Sequence, residues 1–225
     1  MPLLEVILTT FAPHTCLSCQ AEGSMLCTSC QPLVASPMTP QCYRCLELTQ
    51  SGPICPNCQP LVPLTNIWVG TSYTGLNKDL IHRLKFERAQ ASIKPIVQIL
   101  AQRTPNFSHS TVIVPVPTAT KRVRQRGYDQ ARLLARQLAG RKRVQMRRLL
   151  KRTGQVRQVG ANRQQRLAQL QNAFYVPTKL IARVPRQVVL VDDILTTGAS
   201  LESAARVLLQ VGVQRVDAVV FAQKV

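Results

Sequence analysis

The stretch from Val188 to Ser200 limits the fold more than any other part of the chain. It reads Val-Val-Leu-Val-Asp-Asp-Ile-Leu-Thr-Thr-Gly-Ala-Ser. Its four leading apolar residues, rich in β-branched side chains, predict a strand buried on both faces, as in a parallel sheet. Asp192 and Asp193 follow that strand. Next comes the small, hydroxyl-bearing run Thr196-Thr197-Gly198-Ala199-Ser200, then a helical pattern through Val211. The order is strand, loop, helix. In α/β sheets such loops open into the ligand crevice at the carboxyl ends of the strands.

Each residue type has a use in such a crevice. The start of the helix presents unpaired N–H groups and a positive dipole end, which suit a phosphate. Gly198 lets the backbone approach closely, and Thr196, Thr197 and Ser200 add hydroxyl donors. Paired carboxylates suit the vicinal hydroxyls of a sugar, or a hard cation such as Mg²⁺ held near a diphosphate. A ligand with a phosphate, a ribose and a diphosphate, in that order, matches all three features. The plain alternative is a buried strand with a charged turn and an ordinary helix cap.

Val188–Ser200 resembles the phosphoribosyl-pyrophosphate (PRPP) signature of type I phosphoribosyltransferases. In that signature four apolar residues precede two acidic ones and a Thr-Thr-Gly-x-Ser/Thr phosphate loop. The resemblance implies that Asp192 and Asp193 are the catalytic pair, holding the ribose hydroxyls directly or through Mg²⁺. It also implies that Thr196, Thr197, Gly198, Ala199 and Ser200 hold the 5-phosphate.

The N-terminal quarter carries a different chemistry. All eight cysteines fall in four Cys-x-x-Cys pairs: Cys16/Cys19, Cys27/Cys30, Cys42/Cys45 and Cys55/Cys58. Each pair offers two thiolates, and four thiolates close a structural tetrahedral Zn²⁺ site. Eight ligands therefore predict two zinc ions. Sequential pairing makes two short ribbons, and interleaved pairing makes a cross-brace. We favour the sequential arrangement because each half is then a self-contained hairpin. The rival for any one pair is a redox dithiol. A catalytic zinc is disfavoured, because no His or carboxylate joins the pattern. Metal binding should supply the folding free energy of a module too small and polar to bury a core.

Beyond a proline-bearing linker, Pro56 to Pro63, strands and helices alternate. Asn66–Tyr73, Val112–Pro117, Val188–Val191 and Val216–Phe221 read as strands. Gly75–Arg88, Ile96–Gln102, Gly127–Leu138, Asn162–Phe174 and Ala199–Val211 read as helices. The expected fold is α/β: a mostly parallel sheet flanked by helices, resembling type I phosphoribosyltransferases, with a small N-terminal zinc ribbon module. The expected division is 1–62 for an N-terminal helix and the cysteine module, and 63–225 for the sheet domain.

Several further segments resemble the ComF family of competence-associated proteins. They are Tyr73-Thr74-Gly75, Leu80-Ile81 with Leu84-Lys85-Phe86, and Val114-Pro115-Val116-Pro117. After them come Lys121-Arg122, Arg124 and Arg126-Gly127-Tyr128-Asp129-Gln130, then Arg152-Thr153, Asn162-Arg163 and Asn172-Ala173-Phe174. That family joins a cysteine-rich zinc module to a type I phosphoribosyltransferase domain. The resemblance implies a role in DNA uptake, with PRPP and a helicase-like competence protein as partners.

The formal net charge of +19 favours polyanions. Sixteen of the 29 basic residues lie between Lys121 and Arg166, opposed by Asp129 alone. Three readings compete for this segment. Lys121, Arg122, Arg124 and Arg126 could neutralise a departing pyrophosphate, with residues 151–166 as a mobile lid. The segment could instead meet single-stranded DNA through phosphate contacts. It could also be a solvated, arginine-rich loop. Aromatic residues are 4% of the chain, so a base-stacking platform is poorly supported.

No stretch approaches the roughly 20 apolar residues of a membrane span. The apolar start, Met1 to Phe11, lacks a basic lead and a small-residue cleavage site. A short amphipathic helix and a cytoplasmic protein are the expectations.

Overall fold

The computed structural model describes residues 14–34, 40–50, 52–86, 90–153 and 173–224. The expected helix at Met1–Phe11 and most of the one at Asn162–Phe174 lie outside the described residues. So does the greater part of the expected lid.

Five parallel strands form one sheet. They are β1 (Ile67–Ser72), β2 (Val112–Pro115), β3 (Gln145–Met146), β6 (Gln187–Leu195) and β7 (Arg215–Gln223), in spatial order β1-β7-β6-β2-β3. Two short strands, β4 (Lys151–Arg152) and β5 (Phe174–Tyr175), pair antiparallel beside it. The helices are α1 (Gln31–Val34), α2 (Gly75–Phe86), α3 (Ile93–Arg103), α4 (Thr120–Arg126), α5 (Gln130–Lys142), α6 (Thr178–Ile181) and α7 (Ala199–Gln210).

Side-chain alternation in the central strand divides the core into two layers. Val189 and Val191 pack with Leu80, Ile81 and Leu84 of α2, with α3, and with Leu134 and Leu138 of α5. Val188 and Leu190 pack with Leu201, Ala204, Ala205 and Leu208 of α7. Leu80, Ile81 and Leu84 are fully buried, and each such side chain contributes about 1.5–3 kcal/mol.

Connections from β2 run outward to β3, whereas those from β6 run the other way to β7. The sheet therefore reverses its winding between β2 and β6. A crevice is expected at their carboxyl ends.

The cysteine region is a structural repeat. Cys16 N–H donates to Ala21 O, as Cys42 N–H does to Glu47 O. Gln20 N–H donates to Cys16 O, as Leu46 N–H does to Cys42 O, and Cys30 N–H donates to Cys27 O, as Cys58 N–H does to Cys55 O. Gln20 and Leu46 both take positive φ, 61° and 65°. The two ribbons grip opposite layers of the core. Leu26 and Val34 join the α2/α3/α5 layer, and Tyr43, Val62 and Leu64 join the α7 layer.

Several boundaries differ from expectation. The central strand does not stop at Val191, because Asp192 and Ile194 still pair with Val220 and Ala222 of β7. The two carboxylates therefore project from the strand and not from the loop. The predicted helix at Gly127 begins at Gln130. Gly127, at φ 85°, ends α4, and Asp129 caps α5 by accepting from Arg132 N–H. The α4 segment, not among the expected helices, is helical although Thr-Lys-Arg-Val-Arg-Gln-Arg has no apolar stripe. Phe174 is in a strand, paired with Arg152.

Candidate active site and metal centres

The loops leaving β2 and β6 meet across the expected crevice. A cavity of about 240 Å³ is lined by Asp192, Ile194 and every residue from Leu195 to Leu201. Gly198 sits at its base with φ 71° and begins α7. That left-handed backbone is strained for residues bearing a Cβ. Thr196 and Thr197 are exposed. The α7 N-terminus lacks a side-chain cap, which leaves first-turn N–H groups for a ligand.

An adjoining cavity of about 230 Å³ shares Asp192, Ile194, Thr196 and Ser200. Its other walls are Val116–Ala119 from the β2 loop, Asp193, and four cations: Lys85, Arg122, Arg126 and Arg152. Arg122 and Arg126 stand four apart on α4, hence on one helical face. Lys121 and Arg124 point elsewhere: both are exposed and neither lines this cavity. The structure thus brings together half of the expected cationic set.

Lys85 and Arg152 were not singled out by sequence reasoning, although both lie in family-like segments. Lys85 Nζ donates to Asp193 Oδ1 at 2.9 Å. Arg152 Nε is buried without a hydrogen-bond partner among the described residues. Its guanidinium lies 5.3 Å above the Phe174 ring. Burial, then the charge of Arg122, lowers its affinity for a proton. A half-buried cation with an unsatisfied donor beside a cavity suits an anionic ligand.

The carboxylates are not equivalent. Asp192 Oδ1 accepts the Asp193 N–H at 2.8 Å. Burial first, and then the Asp193 charge, push the Asp192 carboxyl up to about 8; the Asp193 N–H and Lys85 only partly oppose this. Near neutral pH Asp192 thus holds a proton and Asp193 is matched by Lys85. Such an arrangement accepts sugar hydroxyls readily. A divalent cation would have to displace the Asp192 proton.

A third cavity, about 630 Å³, extends from the β2 loop along α4 and α5. It is lined by Asp129 and five cations, Arg132, Arg136, Arg148, Lys151 and Arg152, among apolar residues. Thr118 donates to Asp129 at 3.0 Å and ties its floor to the β2 loop.

The cysteines form two four-thiol groups, Cys16/Cys19/Cys27/Cys30 and Cys42/Cys45/Cys55/Cys58. Within each, the sulfurs lie within 4.8 Å of one another. Pairing is sequential, as favoured above. The close edges are 3.7 Å for Cys19–Cys27 and 3.5 Å for Cys45–Cys55. A tetrahedral site with Zn–S of about 2.3 Å has sulfur edges of about 3.8 Å, so the donor set fits zinc. At Cys16 and Cys42 burial opposes ionisation. Donation from neighbouring backbone N–H groups outweighs it and holds both thiols near 6.

The phosphoribosyl transferase domain model matches residues 85–225, and the chain belongs to that family. The likeness to individual proteins reaches further and includes the cysteine region. The chain is 29% identical to competence protein F of Haemophilus influenzae over 222 residues, 92% of this chain and 96% of that protein. It is 27% identical to competence protein ComFC of Bacillus subtilis over 225 residues, 88% and 89% of the two chains. It is also 27% identical to the DNA utilization protein YhgH of Escherichia coli over 220 residues, 91% and 95%. These relatives support the ComF family resemblance drawn from the motifs. Among the described residues, no helix is long and apolar enough to cross a membrane.

Proposed function

We propose that the chain is a PRPP-binding phosphoribosyltransferase-type protein linked to DNA uptake. One observation carries this reading. The paired carboxylates, the Thr196–Ser200 turn and the cations Lys85, Arg122, Arg126 and Arg152 line two adjoining cavities at the sheet's reversal point. The turn holds the 5-phosphate. Asp192 and Asp193 hold the ribose hydroxyls, or the Mg²⁺ that accompanies the diphosphate. The cations neutralise the departing pyrophosphate, which is electrostatic catalysis at the anomeric carbon. The division at residues 62/63 belongs to the same proposal, with zinc in both cysteine groups of the N-terminal part.

A screen for pyrophosphate release from PRPP across nucleobases, amines and DNA tests the catalytic step. Release with one acceptor class supports it. PRPP binding without release under any acceptor leaves a sensor instead of an enzyme.

A second reading is a non-catalytic adaptor that contacts single-stranded DNA beside a helicase-like competence protein. The cationic third cavity favours it. So do Leu33 and Leu61, 62% and 63% exposed at equivalent positions of the two ribbons. If DNA lies there, affinity falls steeply with salt and with Arg132→Glu or Arg136→Glu. A flat salt response removes this reading. The Arg141–Arg143 segment is a poorer target, because Lys142 Nζ already donates to Ala101 O and Thr104 O at 2.8 and 2.7 Å.

A further inference from the structure

The second ribbon touches the phosphate turn. The Tyr43 ring lies flush on Gly198: a Cβ built on that glycine would fall 2.1 Å from a ring carbon. The Tyr43 hydroxyl donates to Glu202 Oε1 at 2.8 Å. Arg44 donates to the same oxygen at 3.1 Å, and Arg206 to the other at 2.6 Å. Glu202 is in the first turn of α7 and is buried. The contact therefore holds the turn and the helix start together from outside the cavity, which Tyr43 does not line. Gln223 Nε2 of β7 adds a bond to Gln41 O at 2.9 Å, one residue before the cysteine ligand Cys42.

The repeat makes the comparison internal. Leu17 follows Cys16 as Tyr43 follows Cys42. Leu17 N–H donates to Met25 O as Tyr43 N–H does to Pro53 O. Leu17 has only an aliphatic side chain, which packs on the opposite core layer. Same local backbone, same step from a ligand cysteine: one position carries a ring and a hydroxyl into the phosphate turn. A phosphate grip depends on N–H groups fixed in place before the ligand arrives. A planar ring against a Cβ-less residue is a close way to fix a turn whose own helix lacks a side-chain cap.

The geometry points to Tyr43 as a positioning residue that carries the fold of the Cys42/Cys45/Cys55/Cys58 group into the turn at Thr196–Ser200. The inference rests on the phosphate reading of that turn. It gives the two metal groups different work. The first steadies the α2/α3 layer, and the second sets the affinity of the turn for a sugar 5-phosphate.

The test uses the full chain carrying two zinc ions, with Tyr43→Ala, Tyr43→Phe and, as the internal control, Leu17→Ala. Two readouts are taken: hydrogen exchange of the 196–202 amides, and calorimetric binding of ribose 5-phosphate. Tyr43→Ala is expected to speed exchange there at least tenfold and weaken ribose 5-phosphate about tenfold. Tyr43→Phe gives a smaller change in both, and Leu17→Ala changes neither by more than about twofold. Unchanged exchange at 196–202 in Tyr43→Ala overturns the inference. Faster exchange in a protein whose wild type binds no ribose 5-phosphate overturns the phosphate reading and leaves the clamp standing. If Tyr43→Ala fails to retain two zinc ions, Tyr43→Phe, which keeps the ring, carries the test. Wild-type exchange and wild-type affinity in Tyr43→Phe then overturn the hydroxyl's part.

Discussion

Lys85 Nζ and Asp193 Oδ1 lie 2.9 Å apart, joining the last turn of α2 to the central strand across 108 residues. Both side chains are largely shielded, 17% and 15% exposed. The pair lies on the wall shared by the cationic and the acidic parts of the crevice.

Lys85→Met removes the charge that balances Asp193 while keeping much of the packing. The Asp193 carboxylate then lies largely shielded beside the protonated Asp192 with its cation gone. Stability at pH 7 should fall by about 1–3 kcal/mol. Urea unfolding of wild type and variant at pH 7 checks this, and an unchanged midpoint would refute it.

Asp192 carries a pH signature of its own. Its folded value of about 8 lies above the ordinary value of 3.8, so the folded state binds the proton more tightly than the unfolded chain does. The stability this gives is fully present below about pH 4 and is lost as pH rises through about 8. Asp192→Asn removes that slope. Thermal unfolding from pH 5 to 9 should show wild type declining more steeply than the variant. Parallel curves would contradict the assignment.

Cysteine pairing can be read from metal content. In the double variant Cys16→Ser with Cys30→Ser, sequential pairing spoils one site and leaves about one zinc ion per chain. Interleaved pairing would spoil both. Metal analysis of the purified variant separates the two, and the sulfur groupings predict one ion retained.

Gly70 sits in β1 with no room for a side chain. A Cβ there would fall 2.8 Å from Phe221 O and 3.3 Å from Leu100 Cδ2. Gly70→Ala should destabilise by about 1–3 kcal/mol through overpacking. Strand β7 separates β1 from β6 and Gly70 lines none of the three cavities described, so ligand affinity of the folded fraction should be unchanged. Denaturant titration beside calorimetry distinguishes this from a site effect.

The alternation of elements, the strand–turn–helix at Val188–Ser200 and the two cysteine groups were legible because their signals are local. A buried run, a glycine turn and Cys-x-x-Cys spacing each report on neighbours in sequence. What stayed hidden is set by tertiary contact. The central strand runs on through Asp192 because β7 continues beside it, and no local property of two aspartates announces a partner strand. Helix α4 is held by its ends, at Ala119 and Gly127, with little apolar periodicity between them. Lys85 reaches the crevice, and Tyr43 the phosphate turn that lines it, from elements 108 and roughly 155 residues away in sequence. Arg152 enters only because β4 and β5 pair. Charge density marks the basic segment, but it carries no sign of which face of α4 looks inward.

Calorimetric titration of PRPP, with and without Mg²⁺, into wild type and into Asp192→Ala with Asp193→Ala tests the central claim most directly. The predicted result is Mg²⁺-dependent binding to wild type, stronger as pH rises through about 8, where Asp192 gives up its proton, and lost in the double variant. Equal binding by both proteins, or none by wild type, would contradict it.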